Sequence, residues 1–285
     1  MTWSFTADPE RYAEHVLALL SSRPDANTVA LTVLETVRTG QRYSDIEPLF
    51  GWYQSGAAVT GAISLTPPYG VLLGELPPGS EAELVAGLRD RAAAVPDVIG
   101  TADATSRFAA AWTAGAELGV ELAMRQRLYT LDGVRPPTPP AGEARLAVAA
   151  DLELVMAWVT RFHQEAEASS ATPQQEMYQR RIELGLHWLW QDEQGKPVAM
   201  AGRNIMVAGV SRIGPVYTPP RFRRHGYGTA VTAACTQDAL DCGARQVVLF
   251  TDDANPTSNA IYQRIGFRAL DDRLILRFVN STPKG

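Results

Sequence analysis

Two spacings of apolar residues alternate along the chain. Asp8-Pro9 places a capping side chain before a proline at the first helical position. Tyr12, Val16, Leu19 and Leu20 then fall on one helical face. Between 49 and 76 the pattern changes to short apolar runs, LFGWYQSG, AAVTGAISLT and YGVLLGEL, cut by Gly and Pro turns. They predict three strands. A helix over Glu81–Ala94, a short strand over Asp97–Ala102, a helix over Ser106–Ala114 and a strand over Glu121–Leu131 follow.

The second half runs in the same order. Ala144–Ala149 reads as a strand. Asp151 caps a helix whose Leu152, Val155, Met156, Val159 and Phe162 keep 3.6-residue spacing. Thr172-Pro173 opens another helix. Strands are predicted over His187–Gln191, Val198–Val207 and Ser211–Tyr217, then a helix over Tyr227–Asp241, a buried strand over Gln246–Thr251, a helix over Pro256–Ile265 and a last strand over Leu274–Val279. Trp188 and Trp190 share one strand face, which favours core packing over substrate stacking. Between the halves lies Gly133–Gly142, GVRPPTPPAG, whose four prolines exclude a helix or a central strand. The division expected is therefore 1–132, a linker over 133–143, and 144–285, with a duplicated α/β (α+β) fold.

At 285 residues the chain is long enough for two domains. Residues 1–140 hold 10 Arg and no Lys against 16 acidic residues, a net of −6, whereas 141–285 are nearly balanced at +1. A net charge of −5 argues against nucleic acid as a partner. No apolar run reaches about 18 residues, so no membrane-spanning helix is expected, and residues 1–10 carry no secretory signal pattern. Cys235 and Cys242, two helical turns apart, are too distant for a disulfide. They suit a reducing cytoplasm, and the Arg and Ala bias suits a GC-rich bacterial genome. His15, His163, His187 and His225 are scattered without metal-ligand spacing, so no metal is expected.

The informative stretch is 211–267. The strand SRIGPVY leads through Thr218-Pro219-Pro220 into Arg221-Phe222-Arg223-Arg224-His225-Gly226-Tyr227-Gly228-Thr229, then an Ala-rich helix. A strand, a glycine-bearing loop and a helix start form an anion site, because the first backbone N–H groups of a helix lack intrahelical partners and the dipole favours negative charge. Arg223 and Arg224 add charged donors. The dinucleotide fingerprint fails, since position 231 is Val, and no Gly-Lys-Ser/Thr follows for a nucleotide P-loop. What stands is R-x-x-G-x-G over Arg223–Gly228, followed by N-P-T-S-N-A-I-Y-Q-R-I-G-F over Asn255–Phe267.

Together, in this order, these segments resemble the GNAT superfamily of N-acetyltransferases over about residues 144–280. The resemblance implies two GNAT-like domains, each a mixed, mainly antiparallel sheet flanked by helices. The first would be degenerate, since at the matching point it reads Gly74-Glu75-Leu76-Pro77-Pro78-Gly79-Ser80. Two prolines there remove N–H donors, and Glu75 would repel a phosphate. The second domain would be an acyltransferase. It would use acetyl-CoA as cosubstrate and move the acetyl group to a primary amine of a small molecule or peptide by direct attack on the thioester. The cofactor would lie along Val216, Tyr217, Thr218, Arg223, Arg224, His225, Gly226, Tyr227, Gly228 and Thr229, and along Asn255, Ser258 and Tyr262. A backbone N–H near Val216 or Tyr217 would meet the developing oxyanion, and Tyr262 would protonate the departing thiolate.

On spacing alone Tyr262 is also an ordinary packing residue of an amphipathic helix. The general base stays open. Glu165 and Glu167 follow the first helix of the second half and could face the acceptor, or be solvated loop charges. His163, Asp252, Asp253 and a chain of waters are alternatives. His225 reads as an exposed loop position. Two other functions stay open, a non-catalytic acyl-CoA sensor or scaffold and a transferase for a longer acyl-CoA, as do a monomer and a homodimer.

Overall fold

The computed structural model of the chain describes residues 1–166 and 174–280. Its residues gather into two compact units, Met1–Arg127 with Asp271–Gly285, and Leu128–Leu270.

Unit 1 contains β1 (Thr2–Thr6), α1 (Pro9–Ser21), α2 (Thr28–Arg38), β2 (Leu49–Ser55), β3 (Ala58–Leu65), β4 (Val71–Glu75), α3 (Glu81–Asp90), β5 (Asp97–Thr101), α4 (Ala102–Thr113) and most of β6 (Leu118–Leu131). Unit 2 takes the end of β6, then β7 (Glu143–Leu146), α5 (Leu152–Ala166), α6 (Gln175–Glu183), β8 (His187–Gln191), β9 (Pro197–Arg203), β10 (Val210–Tyr217), α7 (Tyr227–Asp241), β11 (Gln246–Asp252), α8 (Pro256–Ile265) and the start of β12 (Arg268–Asn280). Each set runs strand, two helices, three strands, helix, strand, helix, strand, so the duplicated order is present. The strands of unit 1 lie in the order β1-β2-β3-β4-β5-β12, and those of unit 2 in the order β7-β8-β9-β10-β11-β6. β1–β2, β2–β3, β3–β4, β5–β12, β7–β8, β8–β9 and β9–β10 pair antiparallel, and β4 with β5 and β10 with β11 pair parallel.

The compact units divide differently from the linear boundaries expected at 132 and 144. Arg273–Arg277 of β12 pairs antiparallel with Asp97–Thr101, and Leu274 and Leu276 enter the core of unit 1. Conversely, Leu128, Tyr129 and Leu131 at the end of β6 are buried among residues of unit 2. Residues 133–142 carry no helix or strand, as the prolines require.

Most elements follow their apolar pattern, and α7 and α8 have the boundaries expected of them. The sequence pattern does not announce α2, in which six of eleven residues are Thr or Val, types that favour strands. Burial of Ala30, Leu31 and Leu34 overrides that preference. Asp151 does not cap α5. Its carboxylate accepts from Arg145 Nη1 at 2.6 Å and Nη2 at 2.9 Å and from the Val148 N–H at 2.9 Å. Thr172-Pro173 lies outside the described residues.

In unit 2, side-chain alternation sorts the two faces of the sheet. Leu189, Met200 and Tyr217 pack with Val155, Trp158 and Val159 of α5 and with Tyr178 and Ile182 of α6. Trp190, Ala199, Ala201 and Ile213 pack with α7 and α8, and Trp188 joins them, as expected for core tryptophans. Cys235 is buried in α7, Cys242 follows its end exposed, and both are free thiols.

Candidate active site

Two neighbours of β10 part company at its C-terminal end. β10 pairs with β11 from Val210↔Gln246 to Ile213↔Leu249 and no further. On its other side it stays paired with β9 as far as Tyr217↔Met200, with a register shift between Ile213 and Val216. Beyond Leu249 the two parallel strands therefore splay and leave an open wedge. Pro215 has no N–H, and successive strand N–H groups point to alternate sides. One of Val216 and Tyr217 thus presents its N–H toward the wedge, where the family resemblance implies an oxyanion donor.

β10 runs through Thr218 and a short turn over Pro220–Phe222 into Arg223–Gly226 and then α7. Gly226 precedes the helix with φ +83°, and Arg224 also adopts a left-handed φ of +66°. A Cβ on Gly226 would meet Pro140 only at 3.9 Å, so the backbone angle rather than crowding demands glycine there. At Gly228 a Cβ would come 3.0 Å from Thr218 Oγ1. No side chain caps α7. The first backbone donor bonded here is Ala230, whose N–H donates to Gly226 O at 3.0 Å. Among the described residues the six N–H groups from Arg224 to Thr229 donate to nothing. By contrast, the start of α8 is closed: Asn255 Oδ1 accepts from the Ser258 N–H at 3.0 Å. Arg221 lies over the Phe222 ring at 4.7 Å, with Lys196 5.5 Å from the same ring. Unbonded N–H groups at a helix start are what an anion site requires.

The candidate side chains are arranged less simply. Arg223 donates from Nε to Thr218 O at 2.9 Å and from Nη2 to Glu165 Oε2. The other oxygen of Glu165 accepts from the Tyr217 hydroxyl at 2.9 Å. Partial burial acts to raise the Glu165 pKa. The bonds from Arg223 and Tyr217 outweigh that and hold it below the ordinary carboxylate value. The Tyr217 phenol is raised, by burial and by the same carboxylate. Glu165 is thus an engaged, weakly basic anion beside the loop, which makes it a poor general base. Glu167 lies outside the described residues.

His163 has an Nδ1 without a partner among the described residues, a ring edge-on to Phe162 at 5.5 Å, and a pKa lowered by burial. Asp252 accepts from the Ala254 N–H at 2.9 Å, a turn contact. His225 is exposed, stacks on Tyr227 at 5.7 Å, and has Nδ1 2.8 Å from Arg223 O. Tyr227 and Thr229 are half-buried in the first turn of α7. Tyr262 is buried, with its ring T-shaped against Phe267 at 6.1 Å. Its hydroxyl makes no hydrogen bond among the described residues, and burial pushes its pKa up to about 12.

Unit 1 presents a filled version of the same layout. β4 and β5 pair only at Val71↔Val98 and Leu72↔Ile99. At the start of α3, the Gly79 N–H donates to the Glu81 carboxylate at 2.8 Å. Arg107 bonds that carboxylate and also Leu76 O at 2.6 Å. Phe108, the seventh residue of α4 as Tyr262 is of α8, is fully buried and has no hydroxyl. Among the described residues no group of His, Cys, Asp and Glu is placed to hold a metal ion, and no helix is long and apolar enough to cross a membrane.

Residues 152–267 match the acetyltransferase (GNAT) family. No curated protein matches the chain. Solved structures with a similar fold include a Drosophila protein at 14% identity, covering 98% of this chain and 99% of that one with a TM-score of 0.70. A GCN5-related N-acetyltransferase from Sphaerobacter thermophilus aligns at 16% identity over 99% and 96% of the two chains, with a TM-score of 0.65. A tandem GNAT protein from the clavulanic acid biosynthesis pathway aligns at 16% identity over 99% and 100%, with a TM-score of 0.60. At these identities the likeness concerns the fold, and it extends over both units.

Proposed function

Residues 152–267 form a domain of the acetyltransferase (GNAT) family, and from that premise we propose that unit 2 transfers the acetyl group of acetyl-CoA to a primary amine of a small molecule or peptide. The observation that carries this reading is the row of six N–H groups from Arg224 to Thr229, unbonded among the described residues, where β10 leaves its parallel partner β11. A diphosphate fits such a row, because it offers several acceptor oxygens and a charge that the helix start favours. Gly226 and Gly228 keep side chains out of the turn. Acetyl-CoA supplies an activated thioester when bound.

The chain's own groups then divide the work. The N–H of Val216 or Tyr217 donates to the carbonyl oxygen as negative charge builds on it. Tyr262 donates to the departing sulfur. Arg223 exchanges Glu165 for a phosphate oxygen, and Glu165 keeps its bond from Tyr217 without taking a proton from the amine. Asn255 and Ser258 shape the wall of the site by closing α8 rather than by offering free polar groups. Unit 1 binds no acetyl-CoA in this reading, because Glu81 and Arg107 already occupy its helix start.

Calorimetric titration with acetyl-CoA, paired with thiol release in the presence of a panel of primary amines, tests the proposal. Binding near one equivalent per chain with amine-dependent thiol release is expected. Binding without release would favour a sensor, and two equivalents would place a second working site in unit 1.

A further inference from the structure

The carbonyl of Gly214 sits where β10 is least supported by its neighbours. β11 makes its last pair at Ile213, and the register against β9 shifts between Ile213 and Val216. That carbonyl accepts a hydrogen bond at 2.9 Å from Arg181 Nη2 on α6. The same nitrogen lies 2.9 Å from Arg203 O and 2.9 Å from Asn204 Oδ1, at the end of β9. One cation thus ties the irregular turn of β10 to the strand that remains paired with it.

The surroundings hold that cation in place. Its Cζ lies 5.4 Å from the Tyr178 ring centroid, a cation–π contact. Tyr178 in turn meets His187 edge-on at 5.6 Å. Burial and the nearby Arg181 charge drive the His187 pKa down to about 2, so the imidazole is neutral and adds no second charge. The backbone approaches closely here: a Cβ on Gly202 would lie 2.9 Å from the His187 ring and 3.3 Å from Gly214 O.

We propose that Arg181 is a positioning residue for acyl transfer, holding the Gly214 carbonyl so that the following backbone N–H is aimed at the thioester carbonyl. The mechanical link is short. The Gly214–Pro215 peptide is planar and the proline ring locks φ. Only one soft dihedral, ψ of Pro215, therefore separates the clamped carbonyl from the Val216 N–H. Losing the clamp frees that dihedral without touching the row of N–H groups at Arg224–Thr229. The inference rests on the acetyl-transfer reading of unit 2.

The test is isotope-edited infrared spectroscopy of [1-13C]acetyl-CoA bound to the full chain, with calorimetric titration of CoA as the control. In the wild type, the bound thioester carbonyl stretch is expected below its solution frequency. In Arg181→Met it is expected to return toward the solution value, while CoA affinity stays within threefold. A carbonyl as strongly shifted in Arg181→Met as in the wild type overturns the proposal. So does a wild-type carbonyl with no shift, which would leave nothing to aim. If Arg181→Met no longer binds CoA, Arg181→Gln carries the comparison, and a wild-type shift in that variant overturns the proposal equally. Failure of the wild type to bind acetyl-CoA would defeat the acetyl-transfer reading itself, a result distinguishable from the others.

Discussion

Removing one oxygen, in Tyr262→Phe, separates packing from chemistry at the centre of the site. The ring is buried against Phe267, and the phenylalanine ring keeps that contact. The hydroxyl has no partner among the described residues, so its loss breaks no bond there. Stability should hold or rise, by up to about 1 kcal/mol. The expected loss of rate follows from the raised pKa. A phenol near 12 is a much weaker acid than a thiol at about 8.5, so full proton transfer to a free thiolate is uphill. In the proposed role Tyr262 would therefore act chiefly as a hydrogen-bond donor to sulfur as charge accumulates. A hydrogen bond to a charged group is worth about 1.5–3 kcal/mol, which corresponds to a fall in kcat of about 10- to 150-fold. Thiol release at saturating acetyl-CoA and amine reads kcat, and thermal melting reads stability. A kcat within twofold of wild type would refute the role, and a melting temperature lowered in step with activity would reassign Tyr262 to packing. The sign with pH is fixed as well. The unfolded phenol loses its proton near 10 and the folded one near 12, so this group lowers stability as pH climbs through that window. The Phe variant should lack that decline.

Glu165→Gln should tighten acetyl-CoA binding, since Arg223 is released and a carboxylate beside the phosphates is lost. The pair is nearly half exposed, so the gain is at most about 1 kcal/mol, or fivefold in Kd by titration, and weaker binding would contradict the exchange. Because the Glu165 pKa lies below its ordinary value, whatever stability the pair contributes is present above the ordinary carboxylate range and lost as pH falls through the lowered value. Gly226→Ala forces a left-handed alanine at φ +83°, so melting should report a loss of roughly 1–2 kcal/mol, alongside weaker acetyl-CoA binding. Deleting residues 271–285 should unfold unit 1 while sparing unit 2. The cut removes Leu274 and Leu276 from the unit 1 core, at about 1.5–3 kcal/mol each. Hydrogen exchange that leaves Met1–Arg127 protected would refute this.

The site was legible where function rests on backbone. The R-x-x-G-x-G turn and the Asn-Pro start of α8 declare themselves through local conformational chemistry, and α7 and α8 begin and end where their punctuation says. Side-chain partnerships were not legible. Glu165 and Arg223 are 58 residues apart, and nothing in their spacing distinguishes a salt bridge from two solvated charges or from a base and a phosphate ligand. Arg181 reads as one of two adjacent arginines on a polar helix, and its role emerges only when β9 and the turn of β10 are seen beside it. The destination of β12 was hidden for a related reason. Alternating Leu274 and Leu276 predict a strand, but alternation does not name the neighbour, and β5 of unit 1 takes it.

The contrast between the units explains why one helix start is available to a ligand and the other is not. In each, a strand leaves its parallel neighbour and turns into a helix. In unit 2 no side chain bonds the N–H groups of the turn, and the nearby carboxylate, Glu165, is engaged by Arg223 and Tyr217 instead. In unit 1 two prolines withdraw donors, Glu81 supplies an anion within bonding distance of Gly79, and Arg107 neutralises that anion while also satisfying Leu76 O. Glu81 thus supplies in unit 1 the negative charge that the proposed site of unit 2 would take from a phosphate, and the same geometry holds Glu81 below the ordinary carboxylate value: its burial acts to raise the pKa, and the bonds from Arg107 and Gly79 overcome it. Removing Glu81 alone would therefore expose Arg107 and one N–H but restore neither the donors lost to Pro77 and Pro78 nor a hydroxyl at Phe108. On the proposed reading unit 1 differs from a working site at several positions at once, so Glu81→Ala should leave binding at one equivalent per chain.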